Sequence, residues 1–131
     1  MKMICFRKLK DEDIEKIQEF LGNEKIYNLI LEGIVYVVIE NNEIVGIGKV
    51  VEKSSKWFLD FIIIKSNMRR NGLGDGLLRV LSNNLLNKGI DKLYYHEENE
   101  YLRKKGFMKK GNLFELKLKD MFQHNCRASG G

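Results

Sequence analysis

The sequence predicts an α/β protein built on one mixed sheet, and three observations carry that reading. An apolar run, Trp57 to Lys65, is rich in aromatic and β-branched residues, as a buried strand requires. A glycine-rich stretch follows it, Arg69-Arg70-Asn71-Gly72-Leu73-Gly74. Beyond that, Leu73, Leu77, Leu78, Leu81, Leu85 and Leu86 fall on one face of a helix. With the shorter elements on either side, the order is β-α-α-β-β-β-α-β-α-β-β. That is a mixed sheet of about six or seven strands flanked by helices, antiparallel first and parallel at its middle. The chain has 131 residues, 44% of them hydrophobic, and no proline, so a single domain over residues 1–120 is expected. Residues 121–131 read as a disordered tail, and from His124 on they have no pattern.

Each element has a local reason. Met3 to Leu9 alternates as a first strand, with Ile4 and Phe6 on one face. Asp11-Glu12-Asp13 puts acids at a helix start, where the dipole favours them. Ile14, Ile17 and Leu21 supply that helix's stripe, and Gly22-Asn23 stops it. Glu24 to Leu31 reads as a second, short helix ended by Gly33. Ile34 to Glu40 and Glu43 to Val51 form two strands around an Asn41-Asn42 turn, since Asn tolerates positive φ. Gly46 and Gly48 share a face there and mark a close backbone approach. Lys53 to Lys56 is a polar loop ahead of the third strand of this group. The long helix runs to about Lys88, with Gly89 as its stop. Ile90 to Tyr95 is a short strand, parallel to Trp57–Lys65 because a helix joins them. His96 to Glu100 opens a short helix closed by Arg103-Lys104-Lys105 and Gly106. Phe107–Lys110 and Leu113–Lys119 make a final hairpin.

Charge narrows the partner. Residues 1–60 hold 9 Lys/Arg against 11 Asp/Glu, whereas residues 61–131 hold 14 against 7. An anionic partner should therefore meet the second half. Nucleic acid is disfavoured, because the basic residues form no long run and no recognition motif is present. No apolar run reaches about 18 residues, so no membrane span is expected. The start turns charged at once, with no signal region. Cys5 and Cys126 lack metal-ligand spacing and read as reduced thiols of a cytoplasmic protein, with no metal.

The strand–glycine–helix seam suits an anion. The N–H groups of a first helical turn have no intrahelical partners, and the dipole favours negative charge there. A Walker A loop would need a Lys-Ser/Thr pair, which is missing, and a Rossmann fingerprint would need glycine where Leu77 stands. The pattern Arg69-x-x-Gly72-x-Gly74 instead resembles the acetyl-CoA signature of the GNAT superfamily of N-acetyltransferases. Leu77-Leu78 matches the family's paired-leucine step. Tyr101-Leu102-Arg103-Lys104-Lys105-Gly106-Phe107 resembles its second landmark, a short helix ending in Lys-x-Gly-Phe. The resemblance covers roughly residues 3–120 and includes the element order.

The resemblance implies acetyl-CoA as cosubstrate and direct transfer of its acetyl group to a primary amine. The acceptor would be a small molecule or a protein, and the enzyme a monomer or homodimer. It places the pyrophosphate on the backbone N–H groups of Arg70, Asn71, Gly72, Leu73, Gly74 and Asp75, beside Arg69. It lays the pantetheine arm against Ile62, Ile63 and Ile64, where a backbone N–H would also serve the oxyanion. The amine must lose a proton, with pKa about 10 when free, and the leaving thiolate, with pKa near 8.5, must gain one. Asp60, on the strand of Ile62–Ile64, is the candidate base. The family's tyrosine acid falls here on Leu102, with Tyr101 next door, so Tyr101 is the candidate acid and Tyr94, Tyr95 and His96 are its reserves. One residue is about 100° around a helix. That offset keeps a second reading open, a regulatory module of the same fold that binds acetyl-CoA or CoA without catalysis.

Overall fold

A computed structural model describes residues 3–21, 32–68 and 72–122. The expected second helix with its Gly22-Asn23 boundary, the residues Arg69, Arg70 and Asn71, and the 123–131 part of the tail lie outside the described residues. The elements are β1 (Ile4–Lys8), a 3₁₀ turn (Asp11–Asp13), α1 (Ile14–Leu21), β2 (Ile34–Glu40), β3 (Glu43–Lys53) and β4 (Lys56–Ile64). Then come a 3₁₀ turn (Ser66–Met68), α2 (Leu73–Asn87), β5 (Lys92–Tyr95), α3 (Glu100–Lys104), β6 (Met108–Lys110) and β7 (Leu113–Lys117). The seven strands lie in the order β1-β2-β3-β4-β5-β7-β6. Two compact units can be traced, Met1–Val51 with Asp60–Leu81, and Glu52–Leu59 with Ser82–Gly131.

In the first unit, side-chain alternation sorts the core onto two faces. Ile17 of α1 packs with Val35, Val37, Ile44 and Ile47, and Phe61 and Ile63 lean on that cluster. Leu73 and Leu77 of α2 pack with Val38 and Val45, joined by Phe6, Tyr36, Ile62 and Ile64. Tyr36 is thus a packing residue. Ile44 and Ile47 reach the same cluster at odd spacing because the β2–β3 register shifts between Val38 and Ile39. The close approach expected at Gly46 and Gly48 is present. A Cβ on Gly48 would stand 3.0 Å from Leu81 Cδ1, and one on Gly46 would stand 2.5 Å from Ile64 Cδ1. Leu73, Leu77, Leu78 and Leu81 are each at most 4% exposed. Burying each contributes about 1.5–3 kcal/mol, against about 1 kcal/mol lost at each helical glycine, so the leucine face holds α2 despite Gly74 and Gly76.

Two tight turns organise β2, β3 and β4. Asn41 and Asn42 have φ of 51° and 68°, as expected for a two-residue hairpin. The expected polar loop at Lys53–Lys56 is equally tight, with Ser54 and Ser55 at φ 52° and 67°. Serine pays more strain there than asparagine does, so the residue types concealed the turn.

At the N-terminus Asp13 is 2% exposed. Its carboxylate takes two bonds from Arg7, Nη1 to Oδ2 at 2.7 Å and Nη2 to Oδ1 at 3.0 Å. It also accepts from the Lys10 backbone N–H at 2.8 Å. The bonds from Arg7 hold its carboxyl below the usual carboxylate range, against the opposing effect of burial.

In the second unit, β5 pairs in parallel with β4 at Phe58↔Tyr94, as the joining helix requires. Leu93 and Leu116 pair across β5 and β7 and are both fully buried. The short helix departs from expectation at its start. Asn99, not His96, is its cap, and the Asn99 side chain accepts the Leu102 N–H at 3.0 Å. Its end explains the Gly-Phe landmark physically. Gly106 sits at φ +112°, its N–H bonds the Arg103 carbonyl at 3.1 Å, and the Phe107 N–H bonds the Leu102 carbonyl at 3.1 Å. That is a Schellman cap, completed by Leu102 and Phe107, which are 4% and 2% exposed. The last strand stops at Lys117 rather than Lys119, and residues 118–122 turn helical.

Candidate active site

The N-terminus of α2 carries the candidate anion site. Gly72 stands just ahead of it at φ +76°, a conformation that costs an L side chain about 1–2 kcal/mol. A Cβ at Gly72 would meet nothing within 4 Å, so a side chain there would enter open space. The first intrahelical bond runs from the Gly76 N–H to the Gly72 carbonyl at 3.1 Å. The N–H groups of Leu73, Gly74 and Asp75 precede it. Leu73 is 4% exposed and shares a cluster with Ile62 and Ile64. The helix start and the end of β4 therefore share one apolar cluster. Asp75 is partly buried in the first turn, where the dipole favours its carboxylate. Ile62, Ile63, Ile64, Gly72, Leu73, Gly74 and Asp75 thus fall in one unit, as does Asp60.

β4 continues to Ile64. The Lys65 N–H bonds the Val45 carbonyl at 2.9 Å, which ties the end of β4 to β3. Next to Ile63 and Ile64, on the side of α1, lies a cleft of about 700 Å³. Ile44 adds to its apolar lining, and Lys16, Glu19, Glu43 and Lys65 contribute charge. Lys65 Nζ and Glu43 Oε1 pair at 2.5 Å.

Asp60 has a partner that the sequence reading missed. Lys49 Nζ lies 3.8 Å from Asp60 Oδ2, and the two side chains are 2% and 43% exposed. Strict alternation from Ile62 and Ile64 would carry residue 60 to the α2 face. Its carboxylate nonetheless meets a lysine whose neighbour two residues back, Ile47, packs under α1. The one signal for Lys49 in the sequence is a cation inside the apolar run of β3.

Tyr101, in the second unit, is the second residue of α3 and is 41% exposed. Lys105 Nζ sits 5.5 Å from its ring centroid, an i,i+4 cation–π contact. The inward position belongs to Leu102. Of the reserves, Tyr94 packs against Phe58 with centroids 5.8 Å apart. Burial, reinforced by Glu115, pushes its hydroxyl above the ordinary tyrosine range. Tyr95 pairs with Phe114 across β5 and β7 and is partly buried. His96 is exposed and stacks on Phe58 at 4.5 Å, with ring planes 5° apart. Among the described residues, no three His, Cys, Asp or Glu side chains gather as metal ligands. No described helix is long and apolar enough to cross a membrane.

Comparison with known proteins places the fold. No curated protein matches the chain by sequence. Among solved structures, PaiA N-acetyltransferase from Thermoplasma acidophilum, in complex with coenzyme A, matches with a TM-score of 0.67 at 18% identity. The match covers 88% of this chain and 99% of that one. The ribosomal-protein-S18-alanine N-acetyltransferase from Escherichia coli matches at 0.68 and 14% identity, over 88% and 94% of the two chains. N-acetylglutamate synthase from Neisseria gonorrhoeae, complexed with coenzyme A and L-arginine, matches at 0.72 and 14% identity, covering 87% of this chain and 33% of that one. At these identities the likeness is one of fold. The sequence model of the acetyltransferase (GNAT) domain matches residues 5–117. The chain therefore belongs to the GNAT acetyltransferase family and is an acyltransferase.

Proposed function

We propose that this chain is a cytoplasmic enzyme that moves the acetyl group of acetyl-CoA directly onto a primary amine of a small molecule or a protein. The observation that carries the reading is the junction of β4 and α2. Ile62, Ile64 and Leu73 pack together behind an open helix start. The residues fit the cosubstrate there. The first-turn N–H groups of Leu73, Gly74 and Asp75, with Gly72 and the flanking Arg69, Arg70 and Asn71, would hold the pyrophosphate. The edge of β4 along Ile62, Ile63 and Ile64 would pair with the pantetheine amides and give an N–H to the oxyanion. Acetyl-CoA supplies the activated thioester. The chain's own residues supply position and proton traffic.

The proton balance assigns the remaining roles. The amine enters as an ammonium and must surrender one proton to become a nucleophile and a second to finish as an amide. Asp60, half-exposed, takes the ammonium proton directly or through one water and passes it to solvent, while the second proton makes good the one that the acid gives to the thiolate. The leaving thiolate is protonated by Tyr101, whose exposed ring sits at the first turn of α3. The similar E. coli and Neisseria proteins are named for amine acceptors, an alanine of a ribosomal protein and glutamate, which supports an amine here too. One observation favours the non-catalytic module instead, since Leu102 fills the inward position beside Tyr101.

Turnover separates the two. We expect thiol release from acetyl-CoA, with one acetylated amine per thiol, for at least one member of a panel of polyamines, aminoglycosides, amino acids and peptides. Tight acetyl-CoA binding with no release above background on any amine would establish the binding module instead.

A further inference from the structure

We infer that Lys49 is a positioning residue for Asp60, fixing the carboxylate that accepts the amine's proton. The inference rests on the reading of Asp60 as that acceptor. Lys49 is among the largest fully buried side chains of the described residues. Its ammonium lies 3.8 Å from Asp60 Oδ2, and the Asp60 side chain is 43% exposed. One oxygen is thereby engaged from inside the protein while the group as a whole stays accessible.

The lysine is itself held rigidly. Gly33 stands over its stem at φ +94°, and a Cβ there would come within 2.9 Å of Lys49 Cε and 2.6 Å of the Val50 carbonyl oxygen. The backbone at Gly33 thus makes room for an extended lysine. Packing alone does not call for the charge. An apolar side chain of similar length would fill the space, and the carboxylate left behind would still be reached by solvent. A half-exposed carboxylate on a strand otherwise samples several rotamers, and proton transfer needs one of them. A buried ammonium at a fixed distance selects that rotamer.

A double-mutant cycle tests this, read as thiol release from acetyl-CoA with the amine of the panel that turns over. Lys49→Met should lower kcat about tenfold or more, with acetyl-CoA affinity within about twofold of wild type. In an Asp60→Asn background the same change should alter kcat by less than about twofold. If Lys49→Met loses its cooperative thermal transition, Lys49→Gln replaces it in the cycle. An equal loss of kcat in both backgrounds would show a merely structural lysine and overturn the inference. So would an unchanged kcat in Lys49→Met beside a large loss in Asp60→Asn. An unchanged kcat in Asp60→Asn, or no amine turning over at all, would remove the reading beneath it.

Discussion

Asp60→Asn should lower kcat about a hundredfold at neutral pH, within the range that general-base catalysis supplies. The substitution keeps the shape of the side chain and removes its ability to take a proton. The need for that proton acceptor follows from the acceptor's own chemistry. An alkyl ammonium has pKa about 10, so at pH 7 only about one molecule in a thousand is already a nucleophile. Raising the pH should therefore rescue the variant, and its deficit should shrink as the solution approaches the amine's pKa. Acetyl-CoA affinity should not follow kcat, because the proposed phosphate contacts lie at Gly72–Asp75. Because Asp60 also pairs with the buried Lys49, a thermal unfolding curve of the variant checks that it remains folded. A pH–rate profile of both proteins with one amine checks this. A constant deficit across pH would show that Asp60 does something other than accept the proton.

The second large effect concerns stability. Asp13→Ala removes two bonds from Arg7 and one from the Lys10 N–H, at a site 2% exposed. Losing a bidentate, largely buried pair together with a bond at the helix entry should cost about 2–4 kcal/mol in denaturant unfolding. The sign of its pH dependence follows from the depressed carboxyl. Its stabilisation is complete above the unfolded value of about 4 and is lost as pH falls through the lower folded value. Wild type should therefore lose stability more steeply than Asp13→Ala below about pH 4. Parallel curves over that range would show that the pair contributes nothing.

Much of the fold was legible because its signals are local. The leucine face of α2 and the Asn41-Asn42 turn follow from period and residue type alone. The Gly106-Phe107 landmark was read as a resemblance, and the structure gives its physical content as a helix cap. The Ser54-Ser55 turn was hidden because serine rarely takes two successive positive φ values. The start of α3 was misplaced because His96 to Glu98 are compatible with a helix, and only the Asn99 cap excludes them. The candidate site divides in the same way. Gly72 and its neighbours announce an anion through spacing. Lys49 could not be paired with Asp60 from sequence, since that contact joins two strands against strict alternation.

We propose that the helix start at Gly72 holds the cosubstrate's phosphates. Calorimetric titration of acetyl-CoA into two variants tests it most directly. Gly72→Asp and Gly72→Asn are nearly isosteric, both residue types tolerate φ near +76°, and they differ by one negative charge. Gly72→Asp should bind acetyl-CoA at least about tenfold more weakly than Gly72→Asn, a difference of about 1.4 kcal/mol, with the same melting temperature. Equal affinities in the two variants would place the phosphates elsewhere and contradict the account.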